Sequence, residues 1–276
     1  MPTVKVPGTE LAYERLASEG DPLVLIHGSL QDRHSWDRVA PSLAGSLQVL
    51  TYDRRGYGES SRAPRAPAMA TDTLDLANLL ETLDFYPAHL VGHSYGAMIA
   101  LRLAVDRPEL IRSLALHEPP FVGLVEDNPT TASEGRRLRE GIGQLQSLIR
   151  AGRREDAARE IVEILAGTPG AWDRFSPPVR ASFVRYIDRW KEEFEDPAFL
   201  RPPEAELKDF LAPVLLTVGE QSPAFLQVVM RRLAEILPNS ARKVVPDAGH
   251  SPHLTAPDRY VGLLLPFLVE RVVPTS

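Results

Sequence analysis

Residues 88–105 read AHLVGHSYGAMIALRLAV. The opening, Ala88 to Val91, is short and apolar, as a buried strand is, and Tyr95 to Val105 has the composition and length of a helix. Between them stands Gly92-His93-Ser94-Tyr95-Gly96. A chain that passes from strand to helix so abruptly has no room for bulk two residues either side of its apex, which accounts for both glycines. Ser94 is then expected above the sheet edge with a helix N-terminus beneath it, where the Tyr95 N–H can donate to a developing oxyanion. The bland alternative is a glycine-rich turn with a solvent-facing serine. The strand before and the helix after favour a nucleophile.

Outward from this turn, short apolar runs alternate with longer segments of helical period, which predicts an α/β fold with a mostly parallel sheet and helices on both faces. Val4 to Val6 and Leu11 to Leu16 read as an opening hairpin around Pro7-Gly8. Leu23 to Ile26, Leu47 to Tyr52, Ser113 to His117, Val214 to Val218 and Lys243 to Val245 read as further strands. Helices are expected over Thr71 to Asp84, Pro223 to Leu237 and Pro257 to Val272. Residues 119–206 differ: they are helical in pattern, charged and punctuated by proline, with no strand-like run. Lying between two strands of one sheet, they are expected to form a helical insertion over its carboxyl edge, where open α/β sheets bind ligands. The expected organisation is a core of residues 1–118 and 207–276 with a cap of 119–206. Trp172, Phe183, Tyr186 and Trp190 are available to line a pocket there or to pack the cap's own interior.

Composition narrows the function. The chain has 276 residues, 43% of them hydrophobic, enough for a large core, and a net charge of -6, which is no footprint for nucleic acid or an anionic membrane. Its bases are nearly all arginine, read as surface ion-pair partners; lysine occurs only at positions 5, 191, 208 and 243. Absence of cysteine removes disulfides, thiolate nucleophiles and Cys-based zinc sites from consideration. With neither an apolar leader at MPTVKVPGTE nor an eighteen-residue apolar run, the expectation is a cytoplasmic protein without a membrane span.

A serine nucleophile needs a base and a second oxyanion donor from loops at the same sheet edge. Ala248-Gly249-His250 follows the last strand and supplies the base, His250. His253, three residues on, is the serious competitor; His34, His89, His93 and His117 are read as surface, core or supporting residues. His27-Gly28-Ser29 ends an earlier strand, and the Ser29 N–H is the candidate second donor. His27 is expected to hold that loop by hydrogen bonds.

Taken in order, HGSL from His27, YDRRGYGES from Tyr52, GHSYGA from Gly92, LHEPP from Leu116, TVGEQSP from Thr217 and DAGH from Asp247 resemble the α/β-hydrolase superfamily. The resemblance spans nearly the whole chain outside residues 119–206, which are similar to the family's helical cap. It implies the fold and a Ser-His-acid triad, and it makes Tyr52 to Gly58 a structural and electrostatic turn. The pattern departs from the family at the acid: Ser222 stands where many members carry Asp after the seventh strand. Haloalkane dehalogenases and zearalenone lactonases take their acid from the end of the sixth strand, which implies Glu118 here. Glu118 sits at the end of a central strand, is longer than Asp by a methylene, and is followed by the stiff Pro119-Pro120. Glu220 is the main alternative; Asp247 reads as a turn former.

The expected chemistry is acyl transfer to water from a small carboxylic ester or lactone, by a carboxylesterase or lactonase needing no cofactor or metal. Ser94, His250 and Glu118 are the expected catalytic triad, with Ser29 and Tyr95 as the oxyanion hole. Serine in place of a carboxylate speaks against alkyl-enzyme esters, and so against epoxide hydrolysis and dehalogenation. Two other readings use the same residues: a cofactor-free lyase or dioxygenase, and a ligand-binding receptor with residual hydrolysis. Nothing in the sequence fixes the oligomeric state.

Overall fold

The computed structural model describes residues 1–61, 69–126, 129, 131–167 and 169–270. Its strands are β1 (Thr3–Val6), β2 (Thr9–Leu16), β3 (Asp21–Ile26), β4 (Leu47–Tyr52), β5 (Ala88–His93), β6 (Ile111–His117), β7 (Val214–Gly219) and β8 (Ser240–Val245). They form one eight-stranded sheet in the order β1-β2-β4-β3-β5-β6-β7-β8. The pairings from β4 across to β8 are parallel, and β2 runs antiparallel to both β1 and β4.

The helices are α1 (Ala40–Leu43), α2 (Met69–Thr82), α3 (Tyr95–Asp106), α4 (Val122–Glu126), α5 (Ala132–Arg150), α6 (Arg154–Ala166), α7 (Pro177–Phe194), α8 (Glu204–Leu207), α9 (Ala224–Ile236), α10 (Pro252–Thr255) and α11 (Pro257–Glu270). The expected end of the last helix, at Val272, lies outside the described residues.

Side chains alternate across the central strands, so each strand feeds two cores. Val24, Ile26, Leu50, Leu90, Leu114 and Leu216 join one cluster, with residues of α2, α3 and α9. Leu23, Leu25, Val49, Val91, Ala115 and Leu215 join the other, with residues of α1 and α11. Burial on both faces explains why these strands read as continuous apolar runs rather than alternating ones.

Between β6 and β7 the described residues form helices and turns and no strand. The two ends of this segment pack onto the sheet-side core through Phe121, Leu124, Phe199 and Leu207. Its middle, α5 to α7, builds a third cluster that includes Trp172, Phe183, Tyr186 and Trp190 and is joined by Leu30 and Tyr57 from the sheet's loops.

The strand order places the site. β4 lies on one side of β3 and β5 on the other, so the chain reverses its direction of winding between them. At such a switch point the loops leaving adjacent strands diverge and open a crevice. The loops concerned are those after Ile26 and after His93, whose strands are in register at Ile26 and Gly92.

Candidate active site

Ser94 sits at the apex of the β5–α3 turn with φ 53 and ψ -119. The left-handed strain falls on the serine itself, and the flanking glycines answer to crowding. A Cβ on Gly92 would lie 2.6 Å from the Ala97 Cα, and one on Gly96 would lie 2.3 Å from the Ile26 carbonyl oxygen. A backbone bond from the Ser94 N–H to the His117 carbonyl, 2.8 Å, ties the turn to β6. Tyr95 opens α3, so its N–H has no acceptor within the helix. The ring of Tyr95 is buried in the sheet-side core.

His250 and Glu118 meet at the neighbouring strand ends. The His250 Nδ1–H donates to Glu118 Oε2 at 2.7 Å, and the Gly219 N–H donates to Glu118 Oε1 at 2.7 Å. Glu118, like Ser94, has a positive φ, 48°. A carboxylate only accepts, so this pairing fixes the imidazole tautomer with its free lone pair on Nε2. That nitrogen is buried and has no hydrogen-bond partner. The His250 carbonyl accepts from His93 Nε2 at 2.7 Å, which anchors the loop from below. Burial by itself would raise the Glu118 carboxyl; the facing His117 and His250 imidazoles reverse this and hold it below the usual carboxylate range.

The other acids stand apart from His250. Glu220 is exposed and accepts from the Asp247 N–H at 2.9 Å. Asp247 pairs with Arg259 at 2.5 Å on the surface. His253 lies buried with Nε2 against Gln31 Oε1 at 3.1 Å and its ring 4.7 Å from Trp36. His27 bridges its loop: Nδ1–H donates to the Gly28 carbonyl at 2.8 Å, and Nε2 accepts from the Arg54 N–H at 3.0 Å. Burial pushes His27, His93, His117 and His253 below the ordinary histidine range, so all are neutral near pH 7.

These shifts bear on stability. His117 is pushed down to about 4 by burial. Unfolded, it binds a proton near pH 6.5, so between pH 6.5 and 4 the unfolded chain holds the extra proton and stability falls as pH falls. Its contribution is complete above about pH 6.5 and is lost progressively as pH falls toward 4. Ring-nitrogen NMR shifts of His117 are expected to show a neutral imidazole at pH 5.5; a protonated ring there contradicts the assignment.

Ser29, Ser94 and His250 line one cavity of about 570 Å³ between the sheet's carboxyl edge and helices α5 to α7. Its far wall is apolar, with Leu138, Ile142, Phe183, Trp190 and Phe194, while Gln31, Arg38 and Asp247 contribute polar lining. Trp172 and Tyr186 pack inside the helical segment, whereas Phe183 and Trp190 belong both to its interior and to the cavity wall. Among the described residues no group of three or more His, Asp or Glu side chains is arranged to hold a metal, and no helix is long and apolar enough to cross a membrane.

Sequence reasoning missed Glu193. It is fully buried on α7 and accepts from Ser29 Oγ at 2.5 Å, Arg54 at 2.8 Å and Tyr57 at 2.7 Å. In the run RWKEEF it reads as one more solvated charge. The available signal was its place in a stripe with Ser182, Tyr186 and Arg189, spaced four, three and four residues apart.

Residues 21–257 match the family model described as the alpha/beta hydrolase fold. A fluoroacetate dehalogenase from a Burkholderia species is 41% identical over 109 residues, 37% of this chain and 35% of that protein. The chain spans between 30% and 49% of the length of the curated relatives it matches. An alpha/beta hydrolase from Sphaerobacter thermophilus superposes with a TM-score of 0.77 at 27% identity, over 96% of this chain and 99% of that one. A thermophilic esterase from Thermogutta terrifontis does so with a TM-score of 0.74 at 26% identity, over 97% and 96%.

Proposed function

The chain belongs to the α/β-hydrolase fold family, and from that premise we propose that it is a serine hydrolase cleaving carboxylic esters or lactones of apolar compounds. The observation that carries this reading is the pairing of His250 with buried Glu118, which leaves an unpartnered Nε2 in the wall of the cavity that Ser94 also lines. Ser94 Oγ attacks the carbonyl carbon while its proton passes to His250 Nε2. The negative charge that develops on the carbonyl oxygen is received by the Ser29 and Tyr95 N–H groups. Collapse expels the alcohol, which takes the proton from the imidazolium, and water attacks the acyl-enzyme by the same route in reverse. Glu118 holds the imidazole and stabilises its cation.

Serine as nucleophile distinguishes this reading from dehalogenation. Alkylation of a serine would give an ether that water does not open, whereas an acyl ester hydrolyses. In this reading residues 119–206 are the cap, and the apolar side chains of α5 to α7 receive the substrate's hydrocarbon part. The fluoroacetate dehalogenase and the Thermogutta esterase support hydrolysis as the reaction class.

The test is a panel of p-nitrophenyl esters and aliphatic lactones. Each methylene buried against the apolar wall contributes up to about 0.8 kcal/mol, or about four-fold. Butyrate is therefore expected to exceed acetate by about ten-fold in kcat/KM. A preference for acetate contradicts the apolar pocket, and absence of turnover across the panel contradicts the hydrolase reading.

A further inference from the structure

Helix α7 presents two faces to the site. Phe183, Trp190 and Phe194 line the cavity. The stripe Ser182, Tyr186, Arg189 and Glu193 instead grips the loops that leave β3 and β4. Ser182 Oγ donates to the Leu30 carbonyl at 3.1 Å, and Arg189 donates to the Arg55 carbonyl at 2.7 Å. Tyr186 OH donates to Asp32 at 3.0 Å and accepts from the Gly58 N–H at 2.9 Å. Glu193 closes the series by accepting from Ser29 Oγ, Arg54 and Tyr57 at 2.5, 2.8 and 2.7 Å.

The β3 loop needs such a grip. Leu30 stands at φ 64, a left-handed conformation that leucine does not hold by itself. The Gly28–Ser29 peptide is also fixed from outside: its carbonyl accepts from His27 Nδ1 at 2.8 Å and from Arg54 Nη2 at 3.2 Å. In a trans peptide the N–H points opposite to the C=O. Whatever holds the Gly28 carbonyl therefore aims the Ser29 N–H. Arg54 is in turn held between Asp72 at 3.2 Å and Glu193, with its guanidinium 4.4 Å from the Tyr57 ring.

We propose that Glu193 is a positioning residue for the oxyanion hole: through Ser29 Oγ and Arg54 it locks the Gly28–Ser29 peptide in the orientation that receives the oxyanion. The role rests on the serine-hydrolase reading above. It makes α7 both the wall that contacts the substrate's hydrocarbon and the clamp on the donor, so the helix that senses the substrate also sets the catalytic geometry.

In Glu193→Gln the amide carbonyl is drawn to Arg54 and Tyr57, leaving the NH₂ to face Ser29 Oγ, so the bond that held the loop reverses and loses its charge. Ser29→Ala cuts the same bond, keeps the backbone N–H and leaves the buried charges intact. It carries the test if Glu193→Gln fails to fold. The measurements are kcat and KM for the best ester and the inhibition constant of the matching trifluoromethyl ketone, which forms an oxyanion on serine. Each variant is expected to lower kcat and ketone affinity together by about ten-fold with KM unchanged. The double variant is expected to lose no more than Glu193→Gln alone, because Ser29→Ala removes a bond that Glu193→Gln has already disrupted. Wild-type kcat and ketone affinity in either folded variant, or losses that multiply in the double variant, overturn the proposal. If the wild type is not inhibited by the ketone at all, the hydrolase reading itself fails.

Discussion

Ser94→Ala is expected to lower kcat by about 10⁶, the scale on which a serine nucleophile operates in a triad. The fold should survive the change. Alanine carries the same Cβ, so the positive φ at this position is no worse for it than for serine. The Ser94 side chain makes no capping bond to α3, so the helix loses nothing. A Tm within about 2 °C of wild type is therefore expected. A fluorophosphonate probe should label the wild type and leave the variant unlabelled. Labelling that persists in the variant, or turnover within about ten-fold of wild type, would place the nucleophile elsewhere.

Glu118→Gln is expected to cost about 10⁴ in kcat, as loss of the orienting acid does in a related triad. The reason is the tautomer. The Gly219 N–H still needs an acceptor, so the carbonyl of the new side-chain amide turns to it and the NH₂ faces His250 Nδ1. Two N–H groups cannot share a hydrogen bond, so the imidazole moves its proton to Nε2 and loses the lone pair that Ser94 requires. Glu220→Gln is expected to stay within about three-fold of wild type, because Glu220 is exposed and accepts only from the Asp247 N–H. Kinetics on both folded variants check the ranking. The opposite ranking would move the acid to the loop after β7.

The residues that were legible in the sequence are those whose physics is local. The tight turn at Ser94 needs glycine on both sides, and the central strands, buried on both faces, announce themselves as apolar runs. The first half of β8, Ser240 to Arg242, did not read as a strand. It lies on an edge strand with alternating exposure and offers no apolar run. The helices α1 and α10, one turn each, are too short for a period to show. Glu118 could be read as a candidate because strand ends at one sheet edge converge by topology. Glu193 could not, since its partners Arg54 and Ser29 lie 139 and 164 residues away and only the folded helix brings them together. A buried acid on a charged helix looks like any surface acid until its partners are known.

The proposed mechanism passes through a covalent acyl group on Ser94 Oγ. Mixing the protein with an excess of an activated ester, quenching in acid within the first turnover and measuring intact mass should reveal an increment equal to the acyl group, carried by the peptide that contains Ser94 and absent from Ser94→Ala. Turnover of the ester with no increment on rapid quench, or an increment carried by another residue, would contradict it.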